Sequence, residues 1–143
     1  SAKDIPIEPL WRDPLLCIVP KGMKKEKDTD YMDIEEIRNH QFVTQRESTD
    51  ADIQNFLKEN SINIQSNYHV VDDLSTVAMV ANGFGICLMP QMVMRDIPYE
   101  VDCYPVQPYA ERVIGLATLH PEFLAPAVRS MYNHILENYK EDF

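Results

Sequence analysis

The chain has no apolar run near the roughly 18 residues that a membrane-spanning helix requires. Its opening, "SAKDIPIEPLW", lacks the charged-then-apolar order of a secretory signal, which predicts a cytoplasmic location. Cysteine is sparse. Cys17, Cys87 and Cys103 are odd in number and show no C-x-x-C spacing, which argues for reduced thiols over a disulfide framework or a structural zinc. Each lies in an apolar stretch and reads as a small buried hydrophobe. Positive charge is scarce as well: the net charge is −10, so the chain is a poor candidate to grip nucleic acid by itself. Its one basic cluster, "KGMKKEK" (Lys21 to Lys27), reads as a solvated loop. Catalytic signatures are missing too. His40, His69, His120 and His134 form no i, i+4 pair, and there is no H-E-x-x-H or G-x-S-x-G. Asp72-Asp73 and Glu35-Glu36 are adjacent pairs whose side chains diverge, so neither is a ready acid/base dyad. No enzyme activity, cofactor or metal is expected.

What remains is an ordinary globular composition, 143 residues with 45% apolar and 25% charged side chains, enough for one core. "PLLCIVP" (Pro14 to Pro20) is a continuous apolar run bounded by prolines and predicts a buried strand. "MDIEEIRNH" predicts a short helix with Ile34 and Ile37 inward, and "QFVTQ" a strand. In "RESTDADIQNFLKEN", Ser48 or Thr49 caps a helix whose apolar face is Ile53, Phe56 and Leu57, with Asn60 as a left-handed terminator. "NIQSNYHVV" (Asn63 to Val71) predicts a strand, and "DDLSTVAMVANG" a helix with Leu74, Val77, Ala78 and Ala81 inward. Strands "ICLMP", "VDCYPV" and "ERVIGLATL" follow, then an amphipathic helix carrying Leu124, Val128, Met131, Ile135, Leu136 and Tyr139. Such alternation predicts an α/β fold with a mainly parallel sheet and helices on both faces.

The glycine pair in "MVANGFGICLMP" invites a phosphate-loop reading. The order of elements opposes it: the glycines follow a helix and precede a strand, and a helix carboxyl end repels phosphate. Gly83 suits a positive-φ cap, and Gly85 a close backbone approach.

The sequence "V-A-x-G-x-G-I-x-L-x-P" (Val80 to Pro90) is followed by a proline-rich connection, "R-V-I-G-L-A-T" (Arg112 to Thr118) and a final amphipathic helix. In this order they resemble the effector-binding domain of LysR-type transcriptional regulators. "PLWRDPLLCIVPKG" is similar to that domain's first crossover strand, although "KGMKKEK" replaces the family's usual His-Pro-Leu stretch. The resemblance implies a type-2 periplasmic-binding-protein-like fold, with lobe II nearly whole and the opening of lobe I and the winged helix-turn-helix absent. Residues 1–20 would be the tail of lobe I and the first crossover strand, and 21–110 lobe II. Residues 111–143 would be the second crossover strand and the helix returning to lobe I.

The function so implied is sensing of a small molecule, a carboxylate-like anion or amino acid, in the inter-lobe cleft of a homo-oligomer. DNA would be reached only through the absent N-terminal domain, and no membrane would be involved. The alternative is an enzyme or solute-binding protein on the same two-lobe fold. "TQREST" runs from a strand end into a helix N-terminus, whose unpaired N–H groups favour an anion. Gln45, Arg46, Ser48 and Thr49 are therefore the leading candidates for ligand contact. Asp50 and Asp52 work against an anion there. Further candidates are Trp11 at the crossover, Phe84 in the Gly-Phe-Gly turn, and Tyr109 with Arg112 at the second crossover.

Overall fold

The computed structural model describes residues 5–45, 51–64 and 66–143. The chain divides into two compact units: Pro14–Arg112, and Ser1–Asp13 together with Val113–Phe143.

In the larger unit, the second half of β1 (Ile7–Pro20) pairs with both β5 (Cys87–Pro90) and β6 (Val101–Gln107). β2 (Met32–Asp33) lies outside β6. β3 (Val43–Gln45) and β4 (Tyr68–Val70) pair with each other and reach β5 through a parallel bridge between Phe42 and Ile86. Five strands thus run in one direction, as helix–strand alternation predicts, and β1 alone runs against them. The rule binds strands joined by crossovers. β1 precedes every helix of this unit and is free to enter antiparallel.

Both faces of this sheet are covered, which is why β1 reads as a continuous apolar run instead of alternating. Leu15, Cys17 and Val19 join a core with Ile37 of α1 (Ile34–Arg38) and Phe56 and Leu57 of α2 (Ala51–Glu59). Ile18 and Cys87 join the opposite core, with Val77 and Val80 of α3 (Asp73–Ala81).

Several local expectations shift. The helix predicted over Met32 to His40 is shorter, because Asp33 ends β2 and caps α1, its carboxylate accepting from Glu36 N at 2.9 Å. The strand predicted over Asn63 to Val71 contracts to Tyr68–Val70. On α3 the buried residues are Thr76, Val77 and Val80, and Leu74 is 47% exposed, because the helix meets the sheet only after its first turn. At the end of α2 the left-handed residue is Ser61 (φ 54°), not Asn60. Ile62 N reaches Leu57 O at 2.8 Å and closes the cap one residue later, while the Asn60 side chain donates to Phe56 O at 2.8 Å.

"KGMKKEK" is not simply solvated. Lys25 and Glu36 are both buried, with Nζ 3.8 Å from Oε2. Lys25 Nζ also donates to Thr29 O and Thr29 Oγ1, each at 2.7 Å, and stands 5.1 Å from the Tyr104 ring centroid. Cys17 and Cys87 are buried as expected, but Cys103 is exposed.

In the smaller unit, the first half of β1 lies with β7 (Glu111–Ala117) and α4 (Pro126–Tyr139), which begins with proline in its first turn. The C-terminal tail grips β1: Glu141 N donates to Leu10 O at 2.8 Å, and Glu141 Oε2 accepts from Arg12 N at 3.0 Å. The predicted apolar face of α4 is only partly covered: Leu124, Ile135 and Leu136 are half-buried, whereas Val128, Met131 and Tyr139 are exposed.

Candidate ligand site

The parallel strands β3 and β4 end side by side, Gln45 in register with Val70. Beyond β3 the chain leads into α2, and beyond β4 it leads through Val71 and Asp72 into α3. The N-terminus of α3 thus follows directly on the carboxyl end of β4, the usual place for a ligand in an α/β sheet, and Ile53 and Gln54 of α2 line a pocket together with Thr44 of β3. Asp72 caps α3 itself, its carboxylate accepting from Ser75 N at 2.7 Å and from Ser75 Oγ at 2.9 Å. Those bonds, the backbone one foremost, hold the Asp72 carboxyl below the usual range, so this terminus already carries its own anion.

Arg46, Ser48, Thr49 and Asp50 lie outside the described residues. Gln45 closes β3 at this edge, and Asp52 stands in the first turn of α2. One residue back on β3, Thr44 Oγ1 is 3.1 Å from His69 Nδ1 and donates to Tyr68 O at 3.2 Å, tying the two strand ends together.

The other candidates lie elsewhere. Phe84 is 45% exposed and meets Tyr68 edge-on, with ring centroids 5.4 Å apart. Tyr68 begins β4, so Phe84 stands at the opposite end of that strand from Val70. Gly83 (φ +83°) and Phe84 close α3 as a helix cap, their N–H groups reaching Val80 O and Met79 O at 3.0 and 3.1 Å. A side chain at Gly85 would place Cβ 2.6 Å from Gln41 O, the close approach its sequence position suggests. Trp11 is half-buried in the first half of β1, within the smaller unit. Tyr109 is 61% exposed and donates to Glu111 Oε2 at 2.8 Å. Arg112 belongs to β7.

Sequence reasoning pointed to "TQREST", which begins at Thr44, but did not single out His69 or the capping role of Asp72. The spacing of Asp72 to Ser75 is a legible capping signal; the pairing of Thr44 with His69 across two strands has no local signal.

The sequence matches the family described as the LysR substrate binding domain over residues 1–140. The chain belongs to that family. Solved LysR-type domains share its fold. The effector-binding domain of QuiR superimposes with a TM-score of 0.78 at 21% identity, over 96% of this chain and 66% of that one. The regulatory domain of CcmR from Synechocystis PCC6803 gives 0.80 at 15% identity, over 96% and 68%. A probable HTH-type transcriptional regulator, LrrA of Synechococcus elongatus, is 36% identical over 61 residues, 43% of this chain and 21% of its own length. The LysR-type domain here thus spans about a fifth of that relative. The match fits the type-2 periplasmic-binding-protein-like architecture expected of the family.

Proposed function

We propose that this LysR-type domain is the ligand-sensing and oligomerisation part of a cytoplasmic transcriptional regulator. It binds a small anionic metabolite, a carboxylate or amino acid, where β3 leads into α2, and has no catalytic role. Contact with DNA would run through another part of the regulator, consistent with the chain's net charge of −10. The observation that carries this reading is the paired carboxyl ends of β3 and β4, with α3 self-capped by Asp72 and Ile53 and Gln54 of α2 lining a pocket with Thr44. The neighbouring structures are consistent with a small anion, since QuiR was solved with shikimate and CcmR with 2-PG. Ser48 and Thr49 would supply hydroxyls, and Arg46 and Gln45 further polar contacts.

A ligand that binds only the folded chain raises its stability, by about 2.7 kcal/mol at a hundredfold excess over Kd. Thermal unfolding across a library of small carboxylates and amino acids should find such a compound, and the double variant Ser48→Ala, Thr49→Ala should weaken its effect. The reading fails if no compound raises Tm, or if the double variant responds as strongly as the parent.

A further inference from the structure

At the other end of the same two strands lies a second cavity, of about 380 Å3. Residues 38–42 lead into β3 and residues 62–67 lead into β4, so this cavity sits at the amino edge, opposite the site proposed above. Its lining is polar: Arg38, Asn39, His40, Gln41, Asn63 and Asn67. Among the described residues no Asp or Glu lines it, in a chain with ten more acidic than basic groups.

Hydrogen bonds set the backbone along two sides of the cavity. Arg38, exposed at the rim, donates from Nη2 to Asn60 O at 3.2 Å. Gln41 O accepts from Ile86 N at 2.9 Å. Across the cavity, Ser66 Oγ donates to Phe42 O at 2.6 Å and accepts from Tyr68 N at 3.1 Å, which sets the backbone on either side of Asn67.

The side chains specify the ligand's chemistry. A guanidinium presents a fork of donors that matches a carboxylate. Each carboxamide offers both a donor and an acceptor, the pair that a hydroxyl group satisfies. Phe42 and Ile64 add an apolar surface for a carbon skeleton. We propose that this amino-edge cavity binds a polyhydroxy carboxylate of the sugar-acid class, the carboxylate on Arg38 and the hydroxyls on the carboxamides. This site is independent of the carboxyl-edge reading.

Gluconate is the probe. Titrated into the isotope-labelled chain, it should produce saturable amide shifts in residues 38–42 and 62–67, including the side-chain amides of Asn39, Asn63 and Asn67. Glucose, with hydroxyls but no charge, and acetate, with charge but no hydroxyls, should each bind more weakly. Arg38→Ala should weaken gluconate by about tenfold, the loss of one charge-assisted pair. Asn67→Ala gives a second test should Arg38→Ala fail to fold, and it should also weaken gluconate. Ser48→Ala with Thr49→Ala should leave gluconate binding unchanged, so the two sites fail separately. The proposal is overturned if millimolar gluconate causes no saturable shift, if the shifts gather at Gln45, Asp52 and Val70 instead, or if acetate binds as well as gluconate.

Discussion

Lys25 and Glu36 form an ion pair inside the larger unit, their side chains only 8% and 1% exposed. Glu36 Oε1 also accepts from Lys27 N at 2.8 Å, so the pair fastens the loop after β1 onto α1. Removing one member of such a pair leaves an uncompensated buried charge, at a cost of about 3–5 kcal/mol. Lys25→Met and Glu36→Leu should each lower stability by an amount of that order in urea unfolding. The double variant should recover much of the loss. Additive losses in the double variant would mean that the two groups act independently.

The two glycines after α3 should respond differently to substitution. Gly83 needs a positive φ but has open space around its Cβ position, so Gly83→Ala carries only the left-handed penalty, about 1–2 kcal/mol. Gly85→Ala adds a backbone collision at Gln41 O and should be the more destabilising of the two in thermal unfolding. Equal losses would contradict the close approach.

Thiol reactivity should separate the three cysteines. Cys103 is exposed, whereas Cys17 and Cys87 are buried. Burial, and then the charge of Asp102, raise the Cys103 thiol above its ordinary value, so its rate should go on climbing at alkaline pH. A disulfide reagent should modify Cys103 alone in the folded chain and all three thiols in denaturant. Rapid labelling of Cys17 or Cys87 without denaturant would contradict their burial.

Acid should weaken two helix caps. Asp33 is held low first by the Glu36 N–H and then by Lys27, and Asp72 first by the Ser75 N–H. A carboxyl whose folded value is depressed stabilises above its unfolded value, about 3.9, and loses that contribution as pH falls through the folded value. The Tm advantage of the parent over Asp72→Ala should therefore be full at neutral pH and shrink below about pH 4. An advantage that persists unchanged at pH 2 would rule out the ionised cap.

The apolar face of α4 should drive self-association. Val128 and Met131 are 52% and 60% exposed and, with Leu116 and Ile135, line an apolar groove. Sedimentation should reveal concentration-dependent species, and Val128→Glu with Met131→Glu should shift them to monomer. A parent that stays monomeric at high concentration would contradict this.

Much of this architecture is legible along the chain, because the signals are local. The proline-bounded run of β1, the Phe56–Leu57 face of α2 and the Gly83 cap each follow from residues a few positions apart. Legibility fails where a partner comes from far away. Lys25 looks solvated until Glu36 and Tyr104 close over it, and Cys103 looks buried because its sequence neighbours are apolar, although the folded chain leaves it exposed. The α4 stripe has the correct helical period, yet its residues differ in cover: Ile135 and Leu136 are half-buried and Val128 and Met131 exposed.

The sequence by itself determined the family, the order of strands and helices, and the exclusion of a phosphate loop at Gly83 and Gly85. All of these rest on propensity, period and element order, which act between near neighbours. Only the tertiary structure decided that β1 runs against five parallel strands, that Asp72 occupies one helix N-terminus at the carboxyl edge, and that a polar cavity lies at the amino edge. Each of these depends on segments distant in sequence meeting in space, and pairing between strands leaves no periodic trace in either strand alone.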